Sequence, residues 1–125
     1  MLDVFHLRCL RKILKIHWSD RISNATVLHR TDSTYLSTLI KSRRLQFFGH
    51  ISRLPDNRPA KVALNWTPPN GKRVRGRPKK TWRSTLITDL RSGGTNWFQG
   101  QRTAQDRLKW KRTVARCCTP AGGTR

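Results

Sequence analysis

Apolar residues recur every three or four positions along most of the chain, whereas the alternation typical of β-strands does not stand out. From Leu2 to Ile16, apolar side chains follow this spacing and basic side chains fill the other face, which predicts an amphipathic helix. Ser23 or Asn24 then precedes a shorter helix that ends near Thr31, because either side chain is a suitable N-cap. The pattern therefore predicts an all-α fold.

The longest predicted helix follows Asp32 or Ser33, which are both suitable N-caps, and it continues to the turn at Pro55. The apolar stripe of this helix consists mainly of Leu36, Ile40, Phe47, Ile51 and Leu54. A short helical segment, Ala60–Trp66, is predicted beyond the turn.

Helical spacing returns in the C-terminal part of the chain. A helix is predicted to begin near Lys79 or Thr81 and to end at Gly93 and Gly94, because glycine suits a left-handed helix cap.

Thr95 is the predicted N-cap of a last helix that continues past Trp110. Within this helix we expect Asp106 to form an ion pair with Arg102 or Arg107, which lie on the same or the adjacent turn.

These patterns divide the chain into four parts. They are an N-terminal helical part over 1–66, a basic linker over 67–80, a C-terminal helical pair over 81–117 and a disordered tail over 118–125. We expect the helical parts to form a small irregular bundle of about five helices.

A basic segment runs from Gly71 to Arg83 and contains no acidic residue. Its cations are Lys72, Arg73, Arg75, Arg77, Lys79, Lys80 and Arg83. Gly76 and Pro78 interrupt any regular helix, and the core Arg75–Pro78 resembles an AT-hook, which places arginines in the narrow minor groove of DNA. Three interpretations stay open: minor-groove insertion, phosphate contact with DNA or RNA, and a solvated linker.

The charge of the whole chain favours a polyanionic partner. Lysine and arginine number 27 against 6 acidic residues, so the formal net charge of the 125 residues is +21. Such a charge opposes compaction unless an anion neutralises it. We therefore predict DNA or RNA as the partner, with an acidic membrane surface as the second candidate and a solvated basic surface as the third.

No membrane segment and no secretory signal are apparent in the sequence. An apolar run of 18 residues is lacking, and basic residues are spread through the first 16 positions. We therefore predict a nuclear or cytoplasmic protein without a membrane partner or a small-molecule substrate.

Four tryptophans are candidates for stacking on nucleic-acid bases. Trp66, Trp82, Trp97 and Trp110 each lie on an apolar stripe or at a helix end, which favours core packing over stacking. Trp82 is the candidate stacking residue, because it adjoins the basic segment.

Histidine and cysteine do not form a recognisable catalytic or metal site. His50 has no nucleophile or carboxylate beside it, which favours a structural role. His6, Cys9, Cys117 and Cys118 fit zinc poorly, because adjacent cysteines suit a tetrahedral ion badly. We predict no metal and no cofactor.

Several segments resemble one known protein family in their order and spacing. They are Phe5 to Leu14, Trp18 to Arg21, Arg43 to Ile51, Arg53 to Asp56, Arg75 to Arg83, and Ala104 to Arg107 with Trp110. Together they resemble the C-terminal region of non-LTR (LINE-type) retrotransposon endonuclease-reverse transcriptases, downstream of the polymerase palm.

The resemblance implies a parent polyprotein with RNA-directed DNA polymerase activity, and an upstream polymerase domain as a further partner. The paired aspartates of the palm are absent, as are the glutamates that the family typically places in its last two helices. Met1 lies where the family chain would continue upstream. We therefore predict a non-catalytic nucleic-acid-binding fragment; the alternatives are an AT-hook-type DNA-binding module and a basic helical protein-interaction domain.

Overall fold

The computed structural model describes residues 1–66, 75–77 and 80–119, and these residues form an all-α fold, as predicted. They contain seven α-helices, one short 3-10 helix at Trp18–Asp20, and no strand. The α-helices are α1 (Leu2–Ile13), α2 (Asn24–Arg30), α3 (Leu36–Ser52), α4 (Pro59–Asn65), α5 (Trp82–Ser92), α6 (Trp97–Ala104) and α7 (Arg107–Cys118).

The chain forms two compact units, Met1–Lys41 and Ser42–Arg125. The predicted division at residues 66, 80 and 117 depends partly on residues outside the described ranges and stays a prediction. Within the second unit, Leu45 and Leu64 from the predicted N-terminal part share one core with Leu86 from the predicted C-terminal pair.

The first unit has a small apolar core in which α1 packs against α2. Its buried residues are Leu7, Val27 and Leu28, and Leu10, Leu14, Ile16 and Ile22 pack around them. Arg11 of α1 connects this helix to the start of α2. Its Nη2 donates to the carbonyl oxygen of Ile22 (2.8 Å) and to Oδ1 of Asn24 (2.9 Å).

Helix α1 ends at Ile13, three residues before the predicted end at Ile16. The amide of Lys15 donates to the carbonyl oxygen of Lys12, and the amide of Ile16 donates to that of Arg11. These two bonds form a Schellman motif with Lys15 in the left-handed region at φ 54°. Ile16 lies beyond the helix but still packs against the core, so its apolar side chain made the helical pattern look longer than the helix.

A Schellman motif also ends α2, and as a result the predicted cap of α3 at Asp32 is wrong. Asp32 lies in the left-handed region at φ 48°, and its amide donates to the carbonyl oxygen of His29. Asp32 therefore terminates α2 and does not cap α3. The cap of α3 is provided by α1: the carboxylate of Asp3 accepts from the amide (2.9 Å) and the hydroxyl (2.6 Å) of Ser37, which lowers the pKa of Asp3.

The core of the second unit is organised around Phe48 on α3. Its ring packs against the rings of Trp97 (centroids 5.1 Å apart) and Trp110 (5.5 Å). The other buried residues of this core are Leu45, Ile51, Leu64, Leu86, Leu90, Ala104, Val114 and Cys117. Phe47, which the apolar stripe placed in the core, is 54% exposed, so that part of the stripe is wrong.

Helix α7 crosses α3 with the side chain of Trp110 packed against Gly49. A Cβ atom on Gly49 would overlap the indole of Trp110. The indole Nε1 donates to the carbonyl oxygen of Leu45 (3.0 Å), so the buried polar atom of Trp110 is satisfied. This crossing places Arg107 and Lys111 of α7 beside the exposed side of α3.

The turn between α5 and α6 confirms the predicted left-handed glycine cap. Gly94 has φ 69°, and its amide donates to the carbonyl oxygen of Arg91. The predicted cap of the next helix is wrong by one residue: Thr95 is buried, and Asn96 caps α6 by accepting from the amide of Gln99 (2.8 Å).

The predicted last helix is two helices, because Asp106 interrupts it. The carboxylate of Asp106 accepts from the amides of Leu108 (3.0 Å) and Lys109 (3.2 Å), and it therefore caps α7. The predicted ion pair with Arg102 or Arg107 is wrong; the salt bridge of Asp106 is with Lys109 (3.7 Å). Hydrogen bonding by the amide of Lys109 is the main cause that lowers the pKa of Asp106.

Helix α7 extends to Cys118, the first residue of the predicted disordered tail. Residues 120–125 lie outside the described residues, so the rest of that prediction is not examined by the structure.

Candidate nucleic-acid interface

The central part of the basic segment has no helical structure, as its glycine and proline predicted. Arg75 and Arg77 are exposed, and Gly76 between them has φ 127°, a conformation that residues with a side chain rarely adopt. Three of the predicted site residues, Lys72, Arg73 and Lys79, lie outside the described residues.

The basic segment leads into a firmly capped helix. Thr81 and Ser84 form a capping box: the amide of Ser84 donates to Oγ1 of Thr81 (3.2 Å), and the amide of Thr81 donates to Oγ of Ser84 (3.0 Å). Lys80 is exposed directly before this box. Its backbone is therefore attached to a fixed helix start.

Arg83 differs from the other predicted cations because it packs against the core. Its guanidinium carbon lies 4.7 Å from the centre of the Trp97 ring, and the side chain is half-buried. One face of the guanidinium is thus occupied by the protein itself.

The tryptophans divide into buried and exposed pairs. Trp97 and Trp110 are buried, which confirms core packing for these two. Trp66 is 62% exposed, so the expectation of core packing is wrong for this residue. Trp82, the candidate stacking residue, is 37% exposed. Each of the exposed pair lies at a helix end, where apolar spacing alone does not determine which way a side chain faces.

Trp82 belongs to a row of exposed rings on the second unit. The centre of the Phe47 ring lies 5.8 Å from that of Trp82 and 6.5 Å from that of His50. The ring planes of Phe47 and His50 are inclined to each other by 22°. His50 is exposed and contacts this row, rather than filling a buried structural position. The spacing of three between Phe47 and His50 is visible in the sequence, but the apolar stripe includes only Phe47.

A groove with a volume of about 610 Å³ runs between α3 and α7. It is lined by Ser42, Gln46, His50, Arg53, Arg107, Trp110, Lys111, Val114 and Ala115. The lining contains two guanidinium groups and one ammonium group but no carboxylate. The remainder of the lining consists of Ser42, Gln46 and His50 from α3 and of Trp110, Val114 and Ala115 from α7.

Arg53 and Arg107 are the charged pair of this groove. Nη1 of Arg53 donates to the carbonyl oxygen of Ala104 (2.7 Å), which fixes the guanidinium at one wall. Burial lowers the pKa of Arg53, and the positive charge of Arg107 lowers it further. Arg53 stays protonated, because an arginine side chain does not lose its proton in proteins. The two like charges therefore create a region of positive potential.

The aspartates of the second unit are engaged with cations outside the groove lining. Asp89 accepts from Nε (2.9 Å) and pairs with Nη2 (2.8 Å) of Arg44, while Asp56 lies 3.9 Å from Nζ of Lys61. Asp106 is directed at the backbone of α7. None of the three neutralises Arg53 or Arg107 through a salt bridge within the described ranges.

A metal site and a membrane-spanning helix are both absent from the part of the chain that the structure describes. There, no group of three or more histidine, cysteine or acidic residues is placed to hold a metal ion, and no helix is long and apolar enough to cross a membrane.

Comparison with known proteins relates the chain to mobile genetic elements. It is 31% identical over 101 residues to a putative uncharacterized transposon-derived protein of Caenorhabditis elegans. The match covers 74% of this chain and 36% of that protein, so the chain corresponds to about a third of its relative. No protein-family model matches the chain, and no solved structure matches it significantly. The similarity supports a transposon origin.

Proposed function

We propose that this chain is a non-catalytic, nucleic-acid-binding segment from the C-terminal region of a non-LTR retrotransposon reverse transcriptase. The similarity to a transposon-derived protein supports the origin, and the order of the segments from Phe5 to Trp110 supports the more specific assignment. The parent activity is RNA-directed DNA synthesis, and the partners of this segment are DNA or RNA and an upstream polymerase domain.

The observation that carries the binding proposal is the arrangement of exposed cations before α5. Arg75, Arg77 and Lys80 are exposed and lie outside the helices, and Lys80 directly precedes the capping box of Thr81. A non-helical backbone leaves Arg75 and Arg77 free to meet neighbouring phosphates, whereas a helix distributes basic side chains around its axis. Affinity supplied in this way depends on charge and salt rather than on base sequence.

The distribution of acidic side chains supports the same proposal. Asp89 and Asp106 are used within the fold, the first by an ion pair with Arg44 and the second by the α7 cap. The excess of positive charge remains after these and all other aspartates have been counted. With a net charge of +21, a polyanion is the natural counter-charge.

An AT-hook-type module is the second candidate function. It is favoured by Arg75 and Arg77, which are both exposed on either side of a glycine with positive φ. In this alternative the two arginines enter the minor groove of A/T-rich duplex DNA, where negative potential is concentrated.

The test replaces the three exposed cations with glutamine, in the variant Arg75→Gln/Arg77→Gln/Lys80→Gln. The matched control is Arg8→Gln/Lys12→Gln/Arg30→Gln, which removes the same charge from exposed positions of the first unit. Binding is measured at one salt concentration to A/T-rich duplex, G/C-rich duplex and structured RNA. We expect the first variant to lose at least tenfold in affinity, and the control to lose much less.

Each outcome discriminates between the proposals. Equal losses in both variants would contradict the basic segment as the binding site. A clear preference of the unmodified chain for A/T-rich duplex would favour the AT-hook alternative. Primer extension by the purified chain with template, nucleotides and magnesium would overturn the proposal that it is non-catalytic.

A further inference from the structure

The row of Phe47, His50 and Trp82 is unusual for a protein surface. Phe47 is 54% exposed, although the neighbouring core accommodates Phe48 completely. Apolar rings that lie together at a surface usually mark a place where something binds. A nucleotide matches this surface in two respects. Its base has a flat apolar face that stacks on aromatic rings, and its phosphate carries the negative charge that a protein of this net charge attracts.

The row is continuous with the basic groove. His50 contacts Phe47 and also lines the groove together with Arg53. Phe47, His50 and Arg53 follow each other at intervals of three residues, so each is displaced by about 4.5 Å along the axis of α3 and its final turn. The exposed rings and the charged groove therefore lie next to each other along one edge of α3 and its final turn, from Phe47 through His50 to Arg53.

The charged end of this edge suits a phosphate group. Arg53 and Arg107 line the same groove and carry like charges, an arrangement that an anion shared between them would stabilise. Guanidinium groups bind phosphate oxygens through parallel hydrogen bonds. The nearby carboxylate of Asp106 accepts from the backbone of its own helix.

We propose that this edge of α3 binds single-stranded nucleic acid. Unpaired bases stack on Phe47 and Trp82, and the backbone reaches the groove, where Arg53 and Arg107 contact a phosphate. A single strand is required because the faces of bases in a duplex are already covered by neighbouring base pairs, whereas unpaired bases are free to stack on side chains. This inference rests on the proposed nucleic-acid binding and specifies a second contact, separate from Arg75, Arg77 and Lys80.

The test compares a 12-nucleotide oligo(dT) or oligo(U) with a duplex of equal length at fixed salt. Phe47→Ala should weaken binding of the single strands by roughly 5- to 100-fold, which corresponds to the loss of base stacking on one ring. Duplex binding should change by less than about twofold. Phe47→Tyr should retain binding of the single strands, because a ring remains.

The matched control is Phe98→Ala, because Phe98 is a 77% exposed phenylalanine on α6 of the same unit and lies outside the row. We expect it to leave single-strand binding unchanged. Arg107→Gln should reduce the slope of log affinity against log salt for single strands by about 0.7. Arg107 is exposed, so this variant should retain the fold, which circular dichroism verifies.

The outcomes separate this inference from the proposed function. Duplex binding without single-strand binding would overturn the inference and leave the proposed function standing. Equal losses for Phe47→Ala and Phe98→Ala, or equal losses on single strands and duplex, would likewise overturn it. Failure of the unmodified chain to bind any nucleic acid would overturn both.

Discussion

At the scale of single residues, Gly49 leaves the space in which the Trp110 indole of α7 packs against α3. The Trp110 indole occupies the space in which a side chain at position 49 would begin, and its Nε1 donates to the carbonyl oxygen of Leu45. The glycine is thus required by steric fit, since it lies within a regular helix and has no unusual φ.

We predict that Gly49→Ala destabilises the fold by about 2–4 kcal/mol, because it combines overpacking with the loss of a buried hydrogen bond. Urea unfolding followed by circular dichroism measures the change. Gly100→Ala is the matched control, because its Cβ would lie 3.1 Å from Cδ1 of Leu90, a much smaller overlap than that between a Cβ at Gly49 and Nε1 of Trp110. A loss for Gly49→Ala no larger than that for Gly100→Ala would contradict the steric explanation.

The two adjacent phenylalanines show what residue-level sequence reasoning was able to provide. Helical spacing indicated that the region is a helix, which is correct. Adjacent positions on a helix differ by about 100° in direction, so Phe47 and Phe48 were both compatible with a wide apolar face. Only the position of Trp97 and Trp110 against α3 determines that Phe48 is buried and Phe47 exposed.

At the scale of elements, the helix ends depend on local and distant signals to different degrees. The glycine cap after α5 was predictable, because Gly94 provides the left-handed residue at little steric cost. The caps at Lys15 and Asp32 use the same geometry with residues that seldom adopt it, so the sequence did not reveal them. Asp3 caps a helix 34 positions away, which no local pattern contains.

Asp106 provides a prediction at this scale. We expect Asp106→Ala to shorten α7 and lower the melting temperature by a few degrees, whereas Asp106→Asn should largely preserve the cap, since asparagine is also a good N-cap. Circular dichroism on both variants measures helix content and melting. Equal effects of the two substitutions would indicate that the charge, rather than the hydrogen-bonded cap, is what matters.

The pH dependence of the same cap follows from the direction of its pKa shift. Folding lowers the pKa of Asp106, so its contribution to stability is present above the ordinary carboxyl pKa and is lost as pH falls through the folded value. We expect acid unfolding of Asp106→Asn to depend less on pH in this acidic range than that of the unmodified chain. Urea midpoints measured from neutral pH down to about pH 3 test this expectation.

At the scale of the whole molecule, charge was the most predictable property and the groove the least. Net charge and the basic segment are visible in the sequence, and so is the candidate ring of Trp82. Arg53 and Arg107 are separated by 54 positions (107 minus 53), and they meet only because α7 crosses α3 at Gly49. Such a pair lies beyond any reasoning from spacing.

The charge also leads to a prediction of salt dependence. If four to six of the seven cations between Lys72 and Arg83 contact duplex phosphates, the slope of log affinity against log salt should be about −4 to −5. Affinity should then fall by roughly 250- to 1,000-fold between 50 and 200 mM salt. A titration over this range measures the slope, and a slope near zero would contradict an electrostatic contact.

The capping box before α5 has a consequence for the entropy of binding. Ordering the backbone of one residue costs about 1–2 kcal/mol, a cost that a mobile cationic chain must meet when it settles onto a polyanion. Thr81 and Ser84 already hold each other's amides, and Arg83 is already seated on Trp97. The end of the basic segment nearest α5 is therefore preorganised. A ligand that contacted this end would bind with a smaller loss of conformational entropy, because the backbone there is already ordered in the folded protein.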